Sequence, residues 1–296
     1  MSRIFGIVPP LATPFDTNEE LDLALLRAEV RHLIEHVGVQ GLAAGGSTGE
    51  GQTLSTDELR TVVAATVEEA QGRVPVIAGI IVDSTREAIA KGKALADLDL
   101  AALQVTPVHY IFKPTDEMMR RHFATIADQL GRPVIIYNVV PWSYCSVELL
   151  TRLIVEVDGV IGVKQSAGDL KRLADLLLAL NGRGLVMSAV DALLYPSFCL
   201  GAHGTISAIV TAVPDLAVQL WKAMQAGDHA TALDAHVKML RVWNAIADDS
   251  LPANVKCALE LQGRPAGLPR SPMAPSSPAQ RAAIREALRL AGLLGP

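Results

Sequence analysis

The sequence predicts an α/β fold: a parallel (β/α)8 barrel of the TIM type with a C-terminal extension of about three helices. Three observations carry this. Eight short apolar runs recur between residues 4 and 210, each followed by a stretch whose apolar residues fall at helical spacing. The units repeat every 30 residues or so, roughly the length of a strand plus a crossover helix. Beyond Gly227 the alternation stops and only helical patterns remain. Runs that are apolar throughout read as strands covered on both faces, as in parallel sheets with right-handed crossovers. A doubly wound open sheet is the rival, but its GxGxxG fingerprint is absent after the first run.

The first strand is expected within Ile4 to Pro14 and its helix within Leu21 to Val37. Gly41 to Gly46 reads as the second strand, with Ser55-Thr56-Asp57-Glu58 opening a helix over Leu59 to Ala70 as a capping box. Val74 to Val82 precedes a helix from Ser84 to Leu98, and Ala101 to Thr106 precedes one from Thr115 to Leu130. Pro133 to Val139 leads into Ser146 to Val157, and Val160 to Ser166 into Asp169 to Leu180. The seventh strand, Gly184 to Val190, is followed by a short helix near Leu193 to Leu200. The eighth, Gly204 to Val210, is followed by Pro214 to Ala226. Asp228 to Asp248, Ala253 to Leu261 and Ser277 to Leu293 form the terminal helices, and the Pro- and Gly-rich segment from Gln262 to Pro278 wraps over the surface. Residues 1–226 are thus assigned to the barrel and 227–296 to a helical extension that packs on it and offers a packing or oligomer surface.

Composition narrows the function classes. A length of 296 residues, half of them apolar, allows a large core, in one barrel or two smaller domains. The net charge of -5 is spread along the chain without a basic block, which sets nucleic acid aside. Cys145, Cys199 and Cys257 are widely spaced with no CxxC pair, which suits a reducing compartment and no structural zinc. The opening Met1 to Gly6 lacks the pattern of a signal peptide, and no segment gives about 18 uninterrupted apolar residues. A soluble cytoplasmic protein without membrane or nucleic-acid partners is the expectation.

One residue stands out from the apolar strands. In Val160-Ile161-Gly162-Val163-Lys164-Gln165-Ser166, strand alternation puts Gly162, Lys164 and Ser166 on one face and Val163 and Gln165 on the other. Desolvating an ammonium is costly, so a buried lysine is kept mainly where a neutral amine is useful, above all to form a Schiff base with a carbonyl. The alternative is a lysine at a strand's end that snorkels to solvent or pairs with an acid.

Active sites of such barrels lie at the carboxyl ends of the strands. Tyr137 closes the fifth strand, and neighbouring strands run about 4.8 Å apart, so its phenol can approach Lys164 and relay protons. Equally, it can be a core aromatic bonded to a carbonyl. The second strand ends in Gly45-Gly46-Ser47-Thr48-Gly49-Glu50, where glycines let backbone N–H groups and hydroxyls approach an anion such as a carboxylate. The same residues also suit an ordinary capping turn. No Gly-Lys-Ser/Thr of a phosphate loop follows.

Together Gly45 to Glu50, Val105-Thr106-Pro107, Tyr137-Asn138-Val139 and Gly162-Val163-Lys164 resemble the dihydrodipicolinate synthase / N-acetylneuraminate lyase family of class I pyruvate aldolases. The likeness runs over nearly the whole chain, including Pro9 to Phe15 and the terminal helices. It implies that Lys164 is the Schiff-base lysine, Tyr137 the proton relay, and Ser47 and Thr48, with Gly46, the binders of a 2-oxo acid's carboxylate. Trp142 and Ile206 are counted with the substrate-binding residues. It further implies a homotetramer, a dimer of dimers, and no metal or organic cofactor beyond the covalent Schiff base. Gln165, where many relatives carry Glu, is expected to point away from Lys164.

The departures bear on substrate. Dihydrodipicolinate synthases place an arginine five positions after the strand-five tyrosine, to bind the aldehyde's carboxylate. Here Trp142 stands there, and an indole cannot form guanidinium's bidentate pair. Sialic acid lyases put an acid directly after the aspartate matching Asp191, where this chain has Ala192. In Val108-His109-Tyr110-Ile111-Phe112, the place of the relay residue that relatives send into a neighbouring subunit falls on His109 without a gap, but the loop is about two residues longer, and Tyr110, one place on, is the candidate relay residue ahead of His109. Trp142, Tyr144, Ile111 and Phe112 are expected to give a larger, less charged, aromatic acceptor pocket, or else a core or subunit contact.

The expected function is therefore a lyase or aldolase that joins or cleaves a 2-oxo acid and an aldehyde through an enamine on Lys164. Dihydrodipicolinate synthesis itself, or dehydration of a 2-oxo-3-deoxy sugar acid on the same site, are variants. A catalytically silent carboxylate-binding barrel is the rival from another class. Asp191 with His203 offers metal-ligand types without ligand spacing, and Asp191 is expected instead to cap the helix that starts beside it.

Overall fold

The computed structural model describes residues 4–295; Met1 to Arg3, part of the stretch read for a leader, and Pro296 lie outside them. Eight strands form one parallel sheet: β1 (Gly6–Ile7), β2 (Leu42–Ala44), β3 (Val76–Ile80), β4 (Ala102–Val105), β5 (Val134–Asn138), β6 (Val160–Gln165), β7 (Leu185–Ser188) and β8 (Gly204–Thr205). Their order is β1-β8-β7-β6-β5-β4-β3-β2, and a parallel bridge between Pro10 and Ala43 joins the β1 segment to β2, closing the ring. The expected (β/α)8 barrel is the observed one.

The helices of the barrel are α1 (Leu23–His32), α2 (Thr56–Ala70), α3 (Thr85–Ala94), α4 (Asp116–Leu130), α5 (Val147–Glu156), α6 (Leu170–Leu180), α7 (Leu194–Cys199), α8 (Ala208–Ala212) and α9 (Pro214–Gln225). Side-chain caps start most of them, because the first helical N–H groups have no partner inside the helix. At α2 the expected capping box is present: Ser55 Oγ accepts from Glu58 N at 3.1 Å, and Glu58 Oε2 from Ser55 N at 2.8 Å. Alternation along the strands separates two cores. Val8, Ala43, Ile77, Ala102, Ile135, Met187 and Ile206 fill the barrel, while Val105, Ile136, Val163 and Val186 face the helices.

Two segments differ from expectation. Only Gly6–Ile7 of the first apolar stretch is regular strand, since Pro9, Pro10 and Pro14 have no N–H to give a ladder. The eighth strand ends at Thr205, not near Val210, because Ser207 turns the chain into α8. Residues up to Val210 were apolar for helix packing; a short buried helix and a buried strand share that signature.

Beyond α9 follow α10 (His229–Ile246), α11 (Leu251–Leu261) and α12 (Pro278–Leu290). The segment between α11 and α12 lies on the surface but is anchored: Leu268 N donates to Phe15 O at 2.8 Å. The extension is also part of the barrel mouth, where residues of α10 and α11 line a cavity at the strand ends.

Candidate active site

Lys164 sits near the end of β6 with 4 % of its surface exposed, inside the barrel. It pairs in register with Tyr137 on β5 and Met187 on β7. The backbone permits this because Gly162, two residues before it on the same face, presses against β7; a Cβ there would lie 2.2 Å from the Leu185 carbonyl oxygen. Gln165 points the other way and accepts from Asn138 Nδ2 at 3.1 Å, as strand alternation requires.

Lys164 Nζ lies 3.9 Å from the centroid of the Tyr137 ring. The phenol reaches past the amine, and its hydroxyl donates to Ser47 Oγ at 2.9 Å. Tyr137 is therefore not an aromatic bonded to a main-chain carbonyl, as the core-filling alternative would have it. Ser47 belongs to a tight turn, Ser47–Gly49, directly after β2. Gly45 begins that turn with a φ of 75°, a conformation costly for residues with a Cβ. The Gly46 carbonyl accepts from the N–H groups of Gly49 and Gly51, each at 3.0 Å, which helps to shape the turn.

The strand ends surround a cavity of about 430 Å3. Ser47 and Thr48 line one side, Tyr137, Lys164 and Ser166 the floor, and Ile206 with Ser207 another side. Part of the wall comes from Trp243, Leu251 and Pro252 of the extension, residues with no motif to mark them in the sequence. Among the residues that line it, Lys164 is the only basic side chain and Asp191 the only acid. Burial pushes the Asp191 carboxyl up to about 6, with hydrogen bonding and the Lys164 charge acting the other way. Asp191 Oδ1 accepts from Ile209 N at 2.8 Å, so it caps α8, not the helix beginning beside it. His203 Nδ1 accepts from Val186 N at 3.2 Å, and no cluster suited to a metal occurs among the described residues.

The aromatic residues expected around an acceptor stand elsewhere. Trp142 is 66 % exposed and donates through Nε1 to the His109 carbonyl at 2.6 Å, outside the cavity lining. Its ring is held against the neighbouring loop because the turn Pro141–Ser143 docks there, with Ser143 Oγ donating to Val108 O at 2.6 Å. Tyr144 donates to the Ser166 carbonyl at 3.3 Å. Tyr110, Ile111 and Phe112 are 67, 66 and 76 % exposed on a loop tied down by Asp83, which accepts from the N–H groups of His109 and Tyr110. None of them lines this cavity. The sequence places them near the mouth, but loop direction decides which way each ring turns.

A family model described as the dihydrodipicolinate synthetase family matches residues 3–291. A 4-hydroxy-tetrahydrodipicolinate synthase of Bradyrhizobium diazoefficiens is 40 % identical, with 99 % of this chain and 98 % of that protein covered. One of Methanopyrus kandleri is 34 % identical over the same shares of the two chains. Among solved structures, dihydrodipicolinate synthase from Acinetobacter baumannii complexed with pyruvate aligns with a TM-score of 0.92 and 32 % identity, covering 99 % of this chain and 100 % of that one. YagE, a prophage protein from E. coli K12 in complex with pyruvate, aligns with a TM-score of 0.93 and 26 % identity, covering 98 % and 99 %. With a model matching almost end to end and relatives similar over their full length, the chain belongs to the dihydrodipicolinate synthetase family.

Proposed function

We propose that Lys164 forms a Schiff base with pyruvate or a related 2-oxo acid, and that the enzyme, a carbon–carbon lyase of the class I aldolase type, joins its enamine to an aldehyde or cleaves the adduct. The observation that carries this is the lysine itself: a buried amine in contact with a phenol that bonds a serine at the mouth. The amine nitrogen adds to the ketone carbon, and loss of water leaves an iminium. This cation draws electrons from the adjacent carbon, which gives up a proton and becomes the enamine nucleophile. Tyr137 carries protons to and from the departing hydroxyl, and Ser47 and Thr48 hold the carboxylate. The iminium supplies the electron sink, so the scheme needs no metal or organic cofactor.

The cavity favours an acceptor aldehyde without a second carboxylate. Beyond Lys164 it offers no cation to pair with one, and Asp191 would repel it. The apolar wall of Val139, Ala189, Leu193, Trp243 and Leu251 suits an uncharged body instead. Dihydrodipicolinate synthesis is the second reading, favoured by relatives of 34 to 40 % identity that carry the synthase name.

The exposed Tyr110, Ile111 and Phe112 support a subunit contact through which Tyr110 completes a neighbour's relay, within a homotetramer. Three free thiols accord with a cytoplasmic location, and no described helix is long and apolar enough to cross a membrane.

The test is to incubate the protein with pyruvate, reduce with borohydride and weigh it. An adduct at Lys164 is expected, and folded protein without one rules the Schiff base out. Acceptor assays then separate the readings: faster turnover of uncharged aldehydes supports the first, faster turnover of aspartate semialdehyde the second.

A further inference from the structure

Glu50 ends the Gly45–Glu50 turn and is 1 % exposed. Its backbone takes a φ of 53°, and its N–H donates to the Ser47 carbonyl at 3.1 Å. Both carboxylate oxygens are engaged: Oε1 accepts from Lys256 Nζ at 2.6 Å and Oε2 from the backbone N–H of Arg270 at 2.8 Å. Lys256, 3 % exposed on α11, donates also to the Leu268 carbonyl at 2.6 Å and lies 4.7 Å above the centre of the Phe15 ring. The extension therefore reaches the carboxylate turn through an ion pair shut off from solvent.

A buried ion pair is a poor way to gain stability, because desolvation offsets most of the attraction, and a well-packed apolar pair often serves as well. What it does supply is direction, since each partner has few positions that satisfy it. Here the bonded path runs from Lys256 to Glu50, through the turn to Ser47, and from Ser47 Oγ to the Tyr137 hydroxyl beside Lys164.

We infer that Lys256 is a positioning residue for the 2-oxo acid: through Glu50 it fixes the turn that presents Ser47 and Thr48, and so sets how tightly the carboxylate is held. The inference rests on the proposed role of Ser47 and Thr48 as the carboxylate's donors. It makes α11 part of the substrate-binding apparatus although no atom of Lys256 meets the substrate.

The experiment follows borohydride trapping at Lys164 against pyruvate concentration in the full-length protein, Lys256→Met, the double variant Glu50→Gln with Lys256→Met, and Lys256→Arg. The double variant removes both charges, so it tests the position without leaving a buried carboxylate alone. Half-saturating pyruvate is expected to rise about tenfold in both neutral variants, the scale of one lost charged hydrogen bond, with the maximal trapping rate within about twofold. Lys256→Arg is expected to recover part of the affinity. Unchanged half-saturation beside a lowered melting temperature would make the pair a stability element and overturn the inference. So would unfolding of both neutral variants, or a loss confined to the maximal rate. A Ser47→Ala, Thr48→Ala double variant separates the two claims. If it leaves half-saturation unchanged, the carboxylate reading itself fails; if it weakens binding while Lys256→Met does not, only the positioning role fails.

Discussion

Tyr137 donates its phenolic proton to Ser47 Oγ across 2.9 Å, joining the end of the fifth strand to the turn after the second. The face of the same ring carries Lys164 Nζ at 3.9 Å. One side chain thus touches both the proposed nucleophile and a proposed carboxylate donor.

Removing only the hydroxyl should separate packing from proton transfer. Tyr137→Phe keeps the ring beneath the amine, and turnover is expected to fall about 10²- to 10⁴-fold, the usual worth of a positioned acid or base. Trapping with borohydride should still label Lys164, more slowly. Steady-state rates and timed trapping check this, and unchanged turnover would remove Tyr137 from the relay.

Asp191 makes stability depend on pH. Its carboxyl ionises near 3.8 when unfolded and is pushed up to about 6 by burial in the fold. Between those values the folded chain keeps a proton that the unfolded chain has lost, so stability falls as pH rises through this window and stays reduced above it. Asp191→Asn can still accept from Ile209 N but cannot ionise. It should match the parent near pH 4 and exceed it at pH 8 by up to about 2 kcal/mol, a figure reduced for the water the cavity admits. Melting curves across pH check this; a difference constant with pH counts against it.

Trp243 should govern the acceptor and leave the donor alone. Trp243→Ala opens part of the cavity wall, so catalytic efficiency with bulky uncharged aldehydes is expected to change by about tenfold or more. Pyruvate trapping at Lys164 should stay within about twofold. Acceptor panels on the two proteins measure it. Identical profiles would place the acceptor elsewhere, for instance toward Trp142.

Much of this was legible along the chain. The period of apolar runs announced the barrel, Ser55 and Glu58 announced the start of α2, and alternation around Lys164 sent Gln165 outward. These are local rules, in which neighbours in sequence remain neighbours in space. The eighth strand is shorter than its pattern suggests because a short, mostly apolar stretch does not say whether it is strand or helix.

The sequence by itself determined the repeating architecture and the few residues whose chemistry is costly to bury or to leave idle, Lys164 first among them. Only the tertiary structure decided which distant residues meet them. Trp142, five places after Tyr137, turns away to His109, whereas Trp243, more than a hundred places on, lines the cavity. Lys256 pairs with Glu50 across 206 positions. Side-chain direction in loops and the docking of one helix on another depend on packing among elements far apart in the chain, and no local pattern encodes that.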